Sequence, residues 1–399
     1  MPSRSPRGRC SCCTSAPHRY IDHHDNSSRR RSGVARARDY GATIGVLPTG
    51  PNNAITDVAG VRVGHTTLIE GSGPRVTGQG PVRTGVTVVI PRDEPWNHPL
   101  FAAAHRLNGN GELTGQHWVE ESGQLTSYIG LTNTHSVGVV RDALIAHEKN
   151  ARGADEFFFA LPVVGETCDG ILNDINGFHV KPEHVAAAID AAADGPVPEG
   201  AVGGGTGMIA HGYKGGIGTS SRVVGDYTVG VLVQANHGAR ERLTIDGVPV
   251  GRLLPEPPSP AAMPGRPPEG TGSIIVLVAT DAPLIPTQCA RLAQRSALGI
   301  ARTGGAGENG SGDMAFCFTT GNTFAGDFAA TAGPDVVEVR MLANRLIDRL
   351  FYAAIEATEE AIVNALFAAE TMEGPEGLVV TALPREQTAE LLRRYRQLR

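Results

Sequence analysis

The apolar positions of the chain alternate short β-branched runs with longer stretches of helical period. Gly85–Pro91 (GVTVVIP) and Ser273–Thr280 (SIIVLVAT) are dense enough to predict buried strands, and Tyr128–Leu131, Asp226–Gln234, Met314–Thr319 and Leu378–Leu383 predict further ones. Val58, Val61 and Val63 within Ile55–Thr67 predict a strand pair turned at Gly60. Helices are predicted over Val137–Glu148 with Ser136 as N-cap, over Pro182–Ala193 with proline at its start, and over Pro286–Ala301. Val339, Leu342, Leu346, Leu350, Ile355, Ile362 and Leu366 keep i, i+3, i+4 spacing, so Val336–Ala369 predicts one long helix or two. Arg385–Leu398 predicts a charged terminal helix, and Phe157–Val164 is an apolar stretch without a clear period. Strands and helices interleave throughout, which predicts a layered α+β or α/β protein.

Three glycine-rich loops interrupt this pattern: Leu107–Gly115, Ala201–Met208 and Thr303–Gly312. A fourth interruption is proline-rich, with seven prolines between Gly251 and Gly270, and cannot pair in a sheet. Order is expected to begin near Asp39, with residues 39–399 forming a single catalytic domain. Residues 1–38 carry nine arginines and two aspartates and read as a disordered basic tail. The net charge of −6 therefore conceals a body near −13, which argues against a nucleic-acid partner. No apolar run is long enough for a membrane span, and the tail has no apolar centre of the kind a secretory signal needs. The tail's arginines and serines resemble a transit peptide, but a start placed too far upstream is the preferred reading. Cys10, Cys12 and Cys13 lie in the tail, while Cys168, Cys289 and Cys317 are far apart and form no CxxC pair. A reducing, cytoplasmic setting is expected, with neither a disulfide framework nor a metal or cofactor.

The candidate chemistry centres on Ser273, which follows a glycine and opens a buried strand. Cutting the Gly272–Ser273 bond would give Ser273 a hydroxyl nucleophile and a free α-amine as its base. An α-amine has an ordinary pKa of about 7.7–8.0, so modest desolvation would make it usable at neutral pH. From this stretch alone, a loop serine entering a buried strand is the better reading. In Asn309-Gly310-Ser311-Gly312-Asp313, a hydroxyl and a carboxylate stand two residues apart, able to share one cleft, although from the residues alone a turn is the better account. Asn236, in QANHG at a strand end, can donate to an oxyanion or cap a turn. Thr132–His135 offers four hydrogen-bonding side chains before a helix, with capping as the plain reading. GGGTG at 203–207 lacks the lysine of a phosphate loop, so tight turning in a crowded core is the better account.

Together these residues resemble a family. From about Arg38 onward, NAITDVAGVRVGHTTL (53–68), GNGELTG (109–115), TNTHSVGVVRDA (132–143), LNDINGFHV (172–180), VGGGTGM (202–208), QANHG (234–238), GSIIVLVATDAPL (272–284) and NGSGD (309–313) are similar to the DmpA-type aminopeptidases. That P1 family includes L-aminopeptidase/D-esterases and β-aminopeptidases. The resemblance implies a four-layer αββα sandwich like that of N-terminal nucleophile hydrolases. It implies self-cleavage into an α chain, 1–272, and a β chain, 273–399, and assembly as homotetramers of αβ units. It also implies metal-free release of N-terminal amino acids from peptides, amides or esters. Ser273 matches the nucleophile, Ser311 and Asp313 its support, Asn236 the oxyanion donor and Glu166 the residue that holds the substrate ammonium. A tyrosine usually stands two residues after that glutamate and helps the oxyanion hole; here the position is Cys168, a poor donor. Either another group substitutes, or the enzyme is slower or favours activated substrates. An ornithine-acetyltransferase-like acyl transfer is the nearest alternative, although that group uses threonine at the position of Ser273. An uncut, non-catalytic homologue is the other.

Overall fold

A computed structural model describes residues 35–255, 270–326 and 334–397. In chain order the elements begin with β1 (Arg62–Glu70), β2 (Val82–Ile90), β3 (Leu100–Arg106), α1 (Gln116–Ser122), β4 (Gln124–Leu125), β5 (Ile129–Asn133), α2 (Val137–Asn150), β6 (Val163–Thr167) and α3 (Pro182–Asp190). They continue with β7 (Ile209–Ala210), β8 (Tyr213–Lys214), β9 (Gly216–Val224), β10 (Tyr227–Gly238), α4 (Val250–Leu253), β11 (Gly270–Thr280), α5 (Pro286–Arg302) and β12 (Gly312–Thr319). The last are α6 (Ile347–Ala368), β13 (Met372–Glu373), β14 (Val379–Val380) and α7 (Arg385–Arg396).

Two sheets form the middle layers. One has the order β1-β2-β5-β6, the other β4-β3-β12-β11-β10-β9. Strand parity assigns the cores. Ile275, Leu277 and Ala279 of β11 meet Val89, Ile129, Leu131 and Val163 between the sheets. Ile274, Val276 and Val278 face the other way, against α5 and α6. α2 and α3 cover the outer face of the smaller sheet through Val140, Leu144, Val185 and Ile189. The layers are thus helices, sheet, sheet, helices, as the family resemblance implied.

Several sequence expectations change. Ile55–Asp57 is a single 3-10 turn, capped by the Asp57 carboxylate on the Asn52 and Ala54 N–H groups, and the strand begins only at Arg62. The predicted helix over Val336–Ala369 starts at Ile347. Ahead of it Asn322 exchanges hydrogen bonds with the Arg340 backbone, and Leu342 N–H donates to Pro283 O, which holds the chain extended against the helical period. Arg36 and Arg38, assigned to the tail by sequence, are tied to the body by Glu199 and Glu360. The rest of the tail, with Cys10, Cys12 and Cys13, and most of the proline-rich linker lie outside the described residues. Cys168, Cys289 and Cys317 are free thiols. Among the described residues no helix is long and apolar enough to cross a membrane.

Candidate active site

Ser273 does not stand at the first position of its strand. β11 begins at Gly270, and its antiparallel register with β10 sets Ser273 opposite Asn236 and Gly270 opposite Gly238, with an irregularity between them. Asn236 is therefore a strand residue and not a strand-end cap. Directly opposed residues share a face of the sheet, so the asparagine amide lies beside the serine hydroxyl. At Gly272 a Cβ would run into the Asn236 carbonyl, so only glycine lets the two strands approach ahead of Ser273. On the other side β11 pairs in parallel with β12, Ser273 opposite Gly312, and the Gly312 N–H donates to Ser273 Oγ at 3.2 Å.

Ser311 and Asp313 flank that glycine. Ser311 Oγ donates to Asp313 Oδ1 at 2.6 Å, so this hydroxyl proton serves the carboxylate. Asn108, from the first glycine-rich loop, completes the pair: its Nδ2 donates to Asp313 Oδ2 at 3.0 Å and its Oδ1 accepts the Asp313 N–H at 2.5 Å. Burial pushes the Asp313 carboxyl up, against the hydrogen bonds from Ser311 and Asn108. The pair reaches Ser273 through the Gly312 backbone.

Glu166 approaches from the other sheet. The β6 backbone packs on β11 at Gly165, where a Cβ would lie 3.1 Å from an Ile275 methyl. A Cβ at Gly111 would lie 2.9 Å from Glu166 Oε1 and 3.4 Å from Gly312 Cα. The Glu166 carboxylate and Gly312, the glycine that pairs with Ser273, thus face each other across the first loop. Glu166 accepts the Glu112 N–H at 2.9 Å and the Thr134 hydroxyl, and it makes no ion pair among the described residues. Burial pushes its pKa up, opposed by those two donors. Thr134 is thereby taken from the capping role expected of it; Asn133 Nδ2 goes to Thr84 Oγ1 at 2.7 Å, and Ser136 makes no side-chain cap.

Asn236 is fixed at both ends of its amide. Oδ1 accepts the Ile209 N–H at 2.8 Å, and Nδ2 donates to Cys168 O at 3.0 Å, leaving a second Nδ2 hydrogen. Cys168 is exposed to solvent, and its protein surroundings push the thiol pKa up, so it stays a neutral thiol near pH 7. The GGGTG segment holds no anion site. The Gly203 and Gly204 N–H groups donate to Thr67 and Thr87, and a Cβ at Gly204 would strike Gln234. Among the described residues no cluster of three His, Cys, Asp or Glu side chains converges as a metal set.

Ser273, Ser311, Asp313, Asn236 and Glu166 thus gather around the Gly312 amide and the 107–115 loop. Reading the sequence residue by residue left out Asn108 and Thr134 as site members; both sit in motifs it had singled out.

The model of Peptidase family S58 matches residues 53–380. "Beta-peptidyl aminopeptidase BapA" of Sphingosinicella microcystinivorans is 48% identical over 91% of this chain and 93% of its own length. A β-aminopeptidase from Burkholderia sp. superposes with a TM-score of 0.83 at 50% identity, covering 90% of this chain and 98% of that one. The L-aminopeptidase D-Ala-esterase/amidase of Ochrobactrum anthropi, described as a variant of the Ntn hydrolase fold, gives a TM-score of 0.83 at 43% identity, covering 92% and 100%. A four-layer sandwich, a family match over residues 53–380 and relatives of 43–50% identity over most of the chain lead to one assignment: the chain belongs to Peptidase family S58.

Proposed function

We propose that this S58 aminopeptidase matures by cutting its own Gly272–Ser273 bond and then removes N-terminal residues with Ser273 as both nucleophile and base. The observation that carries the reading is the register of β11: Ser273 lies opposite Asn236 and beside the Gly312 N–H, with Glu166 facing it across Gly111. In maturation Ser273 Oγ attacks the Gly272 carbonyl carbon. The C–N bond breaks, the nitrogen leaves as the Ser273 α-amine, and the acyl group rests on Oγ as an ester that water opens to a Gly272 carboxylate.

In turnover the α-amine takes the Oγ proton as Oγ attacks the substrate carbonyl, and the free Nδ2 hydrogen of Asn236 meets the developing oxyanion. The ammonium then protonates the departing amine, and water hydrolyses the acyl-serine by the same route. Ser311 and Asp313 order the Gly312 turn and favour the protonated amine. Glu166, holding an acceptor without a cation, pairs with the substrate's N-terminal ammonium. Substrates are peptides, amides or esters with a free amine. Similarity to the β-peptidyl aminopeptidases puts β-amino-acyl amides first for assay, in an assembly of αβ units and a reducing compartment suited to three free thiols.

Denaturing electrophoresis should show two chains, the smaller beginning Ser-Ile-Ile-Val, and Ser273→Ala should stay whole and lose at least about 10⁴-fold in activity. A permanently single chain with full activity would refute the mechanism. The rate should rise with pH through an apparent pKa at or below about 7.7–8.0, and EDTA should leave it unchanged. Loss of activity on chelation, restored by zinc, would point to a metallopeptidase instead.

A further inference from the structure

Lys214 ends the β7–β8 hairpin fully buried, and among the described residues no carboxylate lies within ion-pair distance. A buried ammonium without a carboxylate is costly unless its protons are otherwise bound. Here Nζ donates to Met208 O at 2.7 Å, Gly215 O at 2.9 Å and Gly205 O at 3.4 Å. The Met208 carbonyl belongs to the same peptide unit as the Ile209 N–H, and that N–H donates to Asn236 Oδ1 at 2.8 Å. One path of amides therefore runs from the Lys214 ammonium through a peptide group to the asparagine amide beside Ser273. When an amide oxygen accepts a strong hydrogen bond, resonance draws charge from its nitrogen and the N–H becomes a better donor.

We propose that Lys214 is a positioning residue for the reaction, aiming and polarising the Asn236 amide through the Met208–Ile209 peptide so that its free Nδ2 hydrogen stabilises the oxyanion. The inference rests on Asn236 serving as the oxyanion donor. It assigns the chain a cation at the back of its oxyanion site, where the family's usual phenol is replaced by Cys168.

The relay also has a pH signature. Burial lowers the Lys214 pKa to about 7, against the attraction of Asp169. The other titratable groups around the hairpin are His211 on its turn and His237 on β10, both held neutral by burial with pKa values of about 3 and about 4. Arg240 lies over the Tyr213 ring. Asp169, whose pKa burial raises to about 6, is the group that titrates alongside Lys214. The α-amine of Ser273 must lose its proton to act, whereas Lys214 must keep its own. Activity should therefore pass through a maximum and fall on the alkaline side as Lys214 deprotonates.

The test uses preparations whose cleavage is complete by mass, assayed on an amino-acid p-nitroanilide from pH 5 to 10. Lys214→Met keeps the apolar stem and removes the charge. We expect kcat to fall roughly tenfold near pH 6.5, less than removal of a direct donor, with KM within twofold and the alkaline limb gone. Lys214→Arg should recover part of kcat without restoring the limb, and Asp169→Asn should move the limb to lower pH. A Lys214→Met enzyme within twofold of the parent kcat, still showing the limb, overturns the proposal. Should that variant fail to fold, NMR of the unmodified protein decides. The Asn236 side-chain NH₂ signal, assigned by its loss in Asn236→Ala, should shift with the midpoint of the Lys214 13Cε signal, and an unmoved signal overturns the relay. Because this readout needs no turnover, an inactive protein would count against the aminopeptidase mechanism while leaving the relay to be judged by the titration.

Discussion

Two buried polar clusters lie on opposite faces of the larger sheet. On the helix side Arg222 is fully buried, and its guanidinium meets Glu356 at 3.1 Å, Glu360 at 2.7 Å, Ser220 Oγ at 2.9 Å and the carbonyls of Ser221 and Ile44 at 2.7 Å. Glu360 also receives Arg38 and Asn53. Burial raises the Glu360 pKa, but the Arg38 hydrogen bond and the Arg222 charge outweigh it, and its carboxyl is held below the usual range. On the inter-sheet side Glu166 is just as deep but has two neutral donors and no cation, and its pKa moves the other way. Equal burial with opposite shifts separates a carboxylate already matched by cations from one with neutral donors alone, the carboxylate proposed to meet the substrate ammonium.

The contrast can be broken most severely at Arg222. Arg222→Met should leave Glu356 without a cation and Glu360 with Arg38 alone, and destabilise the protein by about 3–5 kcal/mol, read as a lower urea midpoint, while the folded fraction keeps its kcat. A loss below about 1 kcal/mol, the size of an exposed pair, would mean the cluster is not a structural anchor.

Glu166→Gln tests the other side. Losing a charge-assisted contact worth about 1.5–3 kcal/mol should erase about 10- to 100-fold of the preference for free-amine over N-acetylated substrates, mostly through KM. Self-cleavage should remain. The sign of the stability effect is also fixed: a carboxyl with a raised folded pKa contributes stability below its unfolded pKa and loses it as pH rises through the folded value. Above that value Glu166→Gln should therefore be at least as stable as the parent. Equal cleavage of free and blocked substrates by the parent would remove Glu166 from recognition. The smallest effect is expected at Cys168, where Cys168→Tyr should raise turnover severalfold if a phenol can reach the oxyanion; no gain would mean that Asn236 alone fills that role.

The layering and the chemistry were legible to different degrees. β2, β11 and α5 stood out because their side chains pack on apolar neighbours and keep their period. β9 (GIGTSSRVV) did not, because α6 lies so close that a Cβ at Gly218 would strike the Ala361 carbonyl, Ser220 and Arg222 are spent on the buried ion pairs, and Ser221 bonds Gly50 and Asp57. β3 (LFAAAHR) was hidden by its alanines. At the site Ser273, Asn236 and the Ser311–Asp313 pair could be read from motifs. The contribution of Asn108 could not, since it depends on its loop meeting Asp313, 205 residues further along the chain. Glu166 came from resemblance alone, because a lone glutamate near the end of a short strand has no signature until Thr134 and Gly111 close around it.

The strand order has a consequence for any chain cut before Ser273. β11 and β12 sit in the interior of the six-stranded sheet, with β3 on one side and β10 on the other. The smaller fragment would therefore be a strand pair held by another polypeptide on both edges, although its face toward α5 and α6 packs within the fragment itself. Unfolding such a molecule would be a one-way event: refolding becomes a second-order encounter between two chains, and the peptide bond that once made it unimolecular is gone. The mature enzyme's endurance would then be governed by how slowly the sheet opens, and a thermal scan would report a rate rather than an equilibrium.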